Sequence, residues 1–165
     1  MHRPVEANVA INSKLRGCDL VQLKMTDLMA GGHAKSRATI MQKKTGTPVS
    51  FELTEPAKVA VTDWVQLRRK SGGGWLFPSR SHIGKHLTTR QYARLVDDWI
   101  EMIGLNPADY GTHSLRRTKV ALVYRRTGNI RACQILLGHT KLESTIRHLG
   151  VDVDDALIMS EQTDI

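Results

Sequence analysis

His113 and Arg116 stand three residues apart in His113-Ser-Leu-Arg116, a spacing that puts both side chains on one side of a helix. A guanidinium offers a planar fork of donors suited to phosphate oxygens, and an imidazole can donate a hydrogen bond or move a proton near neutral pH. A second arginine (Arg16), a lysine at the tip of a predicted hairpin (Lys44) and a second histidine (His139) would extend this set if the fold brings them together. Between His113 and Arg147 there are eight basic residues (Arg116, Arg117, Lys119, Arg125, Arg126, Arg131, Lys141, Arg147) and one acidic residue, Glu143. A stretch so one-sided in charge, with apolar residues at helical spacing, suits holding a polyanion against a folded core.

The elements that must position these groups follow from pattern. Residues 1–12 show little sign of an element, and a short amphipathic helix is expected from near Arg16, with Leu20, Leu23 and Leu28 apolar and Gly31-Gly32 ending it. Residues 37–43 and 48–53 read as a hairpin around Lys44-Thr45-Gly46. Glu55 to Lys70 is helical, with Val59, Ala60, Trp64, Val65 and Leu67 as its apolar positions, and Trp75-Leu-Phe-Pro-Ser is a short buried connector. Thr88 to Ile103 is helical, with Tyr92, Leu95, Val96, Trp99 and Ile103 on one face and Thr88 or Thr89 as cap. Three more helices are expected at about 113–126, 130–137 and 141–149, closed by Gly128, Gly138 and Gly150, the third opened by a Thr140/Glu143 capping box. Asp152 to Glu161 reads as a last, acidic helix.

At 165 residues the chain is long enough for one domain with its own core. Lys and Arg number 24 against 16 Asp and Glu, a formal net charge of +8 that favours nucleic acid over a membrane surface. No apolar run approaches the roughly 18 residues of a membrane span, and MHRPVEANVA lacks the apolar centre of a signal peptide. Cys18 and Cys133 make no disulfide framework, so a cytoplasmic protein with reduced thiols is expected.

Arg16 in SKLRGCDLVQLK, Lys44 in QKKTG, His113-Ser-Leu-Arg116 and Leu-Gly-His139 occur in the order and context of the tyrosine recombinase (phage integrase) catalytic domain, which the chain resembles from about Ile11 to Ile165. The resemblance is closest to short bacterial integrase-like proteins with stretches such as LRGCDLV, YGTHSLRRTK and LLGHTKLEST. It implies a mostly α-helical α+β fold with a small antiparallel sheet. It also implies that Arg16 and Arg116 clamp a DNA phosphate, Lys44 (with Lys43 as its nearby rival) is the general acid, His113 assists proton transfer and His139 bonds the phosphate. Arg117, Lys119, Lys43, Lys141 and Arg147 would add contacts to double-stranded DNA. No metal, nucleotide or other cofactor is implied.

Two departures qualify the resemblance. The family's nucleophilic tyrosine stands nine residues after the second histidine, where this chain has His148, and Tyr92, Tyr110 and Tyr124 lie elsewhere, Tyr124 reading as a helix core residue. The first arginine comes at residue 16, which implies an N-terminally truncated catalytic domain (13–151) behind a short segment (1–12), with weakened DNA grip and apolar surface open to self-association. The expectation is therefore a protein that binds recombination-site DNA without cutting it. An active recombinase, with His148 introduced or tyrosine supplied in trans, and an interaction-only remnant remain the alternatives. Residues 152–165, with Asp152, Asp154, Asp155, Glu161 and Asp164 and no basic residue, are expected either to cover the basic surface or to pair with a second copy or an active recombinase. His2, His33, His82 and His86 have no motif context and are read as surface or loop residues.

Overall fold

The computed structural model describes residues 5–69 and 74–150. The acidic 152–165 segment and His2 lie outside the described residues. The architecture is mostly helical with two small antiparallel hairpins.

The chain starts with helix α1 (Val5–Ser13), where the sequence shows little sign of an element. Val5, Ala7, Val9, Ala10, Asn12 and Ser13 are all buried, so the helix is covered on nearly every side, by α4 (Glu55–Arg69) and α6 (Thr112–Thr127) among others. A helix buried all round has no polar face to contrast with its apolar one, and the periodic signal vanishes. The amphipathic helix expected from Arg16 is instead two single turns, α2 (Gly17–Leu20) and α3 (Met25–Leu28). Leu20, Leu23 and Leu28 are buried as expected, but the chain bends between them. Gly31 and Gly32, at φ 57° and 84°, turn β1 (Met29–Ala30) back on β2 (His33–Ala34) in a short hairpin.

The second hairpin pairs β3 (Arg37–Met41) with β4 (Pro48–Glu52), Arg37 opposite Glu52 and Met41 opposite Pro48. Ala38, Val49 and Phe51 face the core while Arg37, Thr39, Ser50 and Glu52 face outward, the period-two alternation of a half-buried sheet. In α4 the buried positions are Ala57, Val61 and Val65, whereas Val59 and Leu67 are exposed. Helix α5 (Thr89–Met102) is opened by a capping box: Thr88 Oγ1 accepts from Gln91 N–H and Gln91 Oε1 accepts from Thr88 N–H. Its inner face is Tyr92, Val96 and Ile100; Ile103, placed there by spacing, is exposed just past the helix end. Trp64 Nε1 donates to Leu76 O at 2.7 Å, which fastens the buried connector to α4.

A 3₁₀ turn (Pro107–Asp109) leads into α6, followed by α7 (Ile130–Leu137) and α8 (Leu142–Leu149), and the helices end at Gly128, Gly138 and Gly150 in the left-handed region. The expected Thr140/Glu143 capping box is absent: the N-cap of α8 is Lys141, and no side chain bonds there. Val120, Cys133 and Leu137 form a small second core, with Val123, Tyr124 and Leu149 packed on it. The main core spans α1, the hairpins, α4 and α5. Contacts of α1 with α6 and of α7 with β4 close one core on the other, and the candidate site lies along that seam.

Candidate functional site

Arg116 sits in the second turn of α6 and is only 4% exposed. Its Nε donates to Lys14 O and its Nη2 to Leu137 O, both at 2.7 Å. Leu137 closes α7, so its carbonyl has no partner within the helix and the guanidinium supplies one. Lys14, just past α1, adopts φ 57°, a left-handed conformation that costs a non-glycine residue about 1 kcal/mol. Two of the five guanidinium N–H groups are thereby committed to structure. Burial, and then the like charge of Arg16, lowers the pKa of Arg116 to about 10.

Arg16 stands just before α2, and its Nη1 donates to Gln42 Oε1 at 2.7 Å. Gln42 is buried at the end of β3; its Oε1 also accepts from Thr45 Oγ1 (2.9 Å), and its Nε2 makes a longer bond of 3.4 Å to the same Leu137 O that Arg116 uses. Sequence reasoning missed Gln42, and no signal marks it, since its neighbours Met41 and Lys43 are exposed and a glutamine at a strand end reads as solvated. Asp19 was missed too: its Oδ1 accepts from the Lys43 N–H at 2.8 Å and so fixes the start of the turn that carries Lys44. Its Oδ2 is buried with no hydrogen bond.

His139 follows the left-handed Gly138, and a side chain at position 138 would run into Val49. The His139 N–H donates to Gln134 O, and Gln134 Nε2 donates to His139 O. His139 Nδ1 lies 3.1 Å from Oγ1 of the buried Thr145, which leaves Nε2 on the opposite edge of the ring for a ligand. His148, at the end of α8, stands edge-on to His139 with ring centroids 5.5 Å apart. Its Nε2 is buried and has no hydrogen-bond partner.

Both rings are held neutral. Burial, then Arg116 and Arg16, push His139 down to about 4. Burial, then Arg116, His139, Arg117 and His113, push His148 down to about 4. In an unfolded chain these rings titrate near 6.5, so between pH 6.5 and 4 the unfolded state binds more protons than the folded one. Stability is therefore complete above pH 6.5 and drains as the pH falls toward 4. With allowance for partial solvent exposure, the loss is on the order of 1 kcal/mol per ring. Urea unfolding at pH 7 and pH 5 checks this, and a double His139→Gln/His148→Phe variant is expected to show a flatter difference between the two.

Of the residues singled out in the sequence, Arg16, Arg116, His139 and His148 come together, with His113 and Arg117 exposed on α6 close enough to act on His148 electrostatically. Lys43 and Lys44 are exposed in the β3–β4 turn, with no side-chain hydrogen bond to the cluster among the described residues. Lys141 and Arg147 are exposed at the two ends of α8. Lys119 is turned to α1, where its Nζ donates to Asn12 Oδ1 at 3.0 Å. Of the remaining histidines, His33 and His82 are exposed, whereas His86 packs edge-on against Trp75. Among the described residues no group of three or more His, Cys, Asp or Glu could hold a metal ion, and no helix is long and apolar enough to cross a membrane.

The seam thus joins two arginines and two neutral histidines between a helical core and a β-hairpin. The chain belongs to the phage integrase family, whose model matches residues 5–153. It is 27% identical over 144 residues to the probable integrase/recombinase YoeC of Bacillus subtilis, covering 87% of this chain and 75% of that one. It is 24% identical over 149 residues to the tyrosine recombinase XerD of Rickettsia prowazekii, covering 84% and 47%. Among solved structures it shares the fold of XerA recombinase (TM-score 0.76, 22% identity, 94% of this chain and 55% of that one). It also shares the fold of XerH bound to its difH substrate in a pre-cleavage complex (TM-score 0.74, 19% identity, 94% and 45%). The chain thus spans three quarters of YoeC and about half of the Xer proteins.

Proposed function

We propose that this chain binds duplex DNA at a recombination site by clamping a backbone phosphate between Arg16 and Arg116, with His139 Nε2 donating to the same phosphate, and that it does not cut the strand. The observation that carries this reading is the pair of like-charged guanidiniums, one of them buried, brought together with no carboxylate in an ion pair with either among the described residues. Two cations held in a partly desolvated seam repel each other, and Asp19 offsets this only in part without forming an ion pair, so a bound anion is favoured. Relatives named as recombinases, and a fold shared with XerH bound to its difH substrate and with a transposon integrase in complex with DNA, support reading that anion as a DNA phosphate. Lys43, Lys44, Arg117, Lys141 and Arg147 are exposed cations available to neighbouring phosphates.

In the full reaction of such a clamp, an oxygen nucleophile attacks phosphorus, the arginines stabilise the charge growing on the nonbridging oxygens, and Lys44 protonates the departing 5′ oxygen. His148 stands where the phenol would be. Its Nε2 is buried, and a P–N link differs from a phosphotyrosine ester as a leaving group. Binding without cleavage follows.

A mobility-shift titration over a salt series tests the binding. Affinity is expected to fall with salt at a log–log slope of roughly −0.9 per neutralised phosphate, and Arg16→Ala is expected to weaken binding and reduce the slope by about one unit. Salt-independent binding, or no binding at low salt, would overturn the reading.

A further inference from the structure

On the flank where α1, α6 and the β3–β4 hairpin meet, a cavity of about 380 Å³ is lined by Lys14, Lys119, Arg37 and Glu52, with Phe51 and Leu136 among its apolar walls. Lys14 is 4% exposed, an unusual state for a lysine with no ion pair of its own among the described residues. Among the described residues no hydrogen bond or ion pair takes up its ammonium, while its neighbours are engaged elsewhere. Lys119 Nζ donates to Asn12 Oδ1, and Arg37 Nη2 pairs with Glu52 Oε1 at 2.6 Å. The backbone of Lys14 sits at φ 57° and its carbonyl accepts from Arg116 Nε, which anchors the residue's backbone beside the cavity that its side chain lines.

The charged groups facing this amine are Lys119 from α6, Arg37 from β3 and Glu52 from β4. Burial, and then Lys119, lower its pKa to about 8 against the opposing pull of Glu52. At pH 7.5 such an amine is about one quarter neutral, against about one thousandth for an ordinary lysine. A desolvated lysine beside a second cation is an activated nitrogen nucleophile.

We propose that Lys14 is an acyl-acceptor site, a buried amine that takes a short acyl group from an acyl phosphate. The neutral Nζ attacks the carbonyl carbon, the bond from that carbon to the phosphate oxygen breaks, and phosphate leaves with the electron pair. Nitrogen gives up a proton to water or to the departing phosphate, and a neutral amide remains. The product removes a desolvated charge and its repulsion with Lys119, and the apolar walls take the acyl methyl. This does not depend on the DNA reading.

The test is to incubate the full chain with acetyl phosphate at pH 7.5 and follow each lysine by peptide mass spectrometry. Lys14 is expected to acetylate at least about fivefold faster than the exposed Lys44 and Lys141, and the advantage is expected to vanish in urea. Lys119→Gln, which keeps a side-chain amide donor for Asn12 but removes the like charge, is expected to slow Lys14 severalfold relative to Lys44 in the same sample. Acetylation of Lys14 in the folded wild-type chain no faster than that of Lys44 would overturn the proposal whatever the variant does.

Discussion

His148→Tyr is expected to form a covalent protein–DNA adduct on a duplex carrying a phosphorothiolate at the scissile position, where the parent chain forms none. The ring at 148 stands beside His139 and within the electrostatic reach of Arg116 and Arg117. A phenol oxygen extends farther from the backbone than imidazole Nε2, the atom that is buried here without a partner. Burial, the largest cause that holds His148 neutral, would disfavour a phenolate, whereas the cations around the ring, Arg116 first, would favour one. On the proposed reading, supplying an oxygen nucleophile at 148 changes cleavage by on the order of 10³-fold or more. A denaturing gel over a pool of phosphorothiolate duplexes reads the adduct, with a mobility shift alongside. An adduct from the parent chain would instead support nitrogen attack by His148 or a tyrosine from another copy. Binding by both proteins without an adduct from either would mean that the seam holds phosphate but does not activate it.

Arg116→Met is expected to cost more than DNA binding. Its side chain joins the end of α1 to the end of α7 through Lys14 O and Leu137 O. Removing it strands the Lys14 carbonyl and leaves Leu137 O only the long bond from Gln42. Each buried acceptor left unpaired costs about 1–3 kcal/mol, so urea unfolding is expected to show a loss of about 2–4 kcal/mol, and a thermal melt a midpoint lower by about 10 °C. Part of that loss is offset because the buried charge leaves too. Arg116→Lys, which keeps a charge but lacks the planar fork, is expected to recover part of the stability and little of the binding. A variant with unchanged unfolding and abolished binding would show that the two carbonyl bonds contribute nothing net.

The sequence announces elements with local signals and is silent on elements defined by what surrounds them. The cap at Thr88 or Thr89 and the glycines after α6, α7 and α8 place helix ends to within a residue or two, because caps are local chemistry. The β3–β4 hairpin shows because one of its faces is wet. Helix α1 does not show, since nearly all of it is buried, and the bend that splits Gly17–Leu28 into two turns depends on contacts with other elements. At the site, Arg16, Arg116, His139 and His148 are legible as residue types in motifs, and the structure supplies their meeting. Gln42, Asp19 and the left-handed Lys14 are invisible in sequence, because their roles are to hold other residues across 26, 24 and 102 positions of chain.

Arg116 is a girder of the fold and, on the proposed reading, a phosphate ligand as well. A lineage that no longer cuts DNA would still lose stability by replacing it, so the arginine persists under selection for folding alone. Position 148 carries no such tie among the described residues: its ring packs edge-on against His139, its Nε2 has no hydrogen-bond partner, and the helix ends two residues later at a glycine. On the proposed reading, cleavage would be lost or regained at 148 while the two carbonyl bonds of Arg116 stay in place.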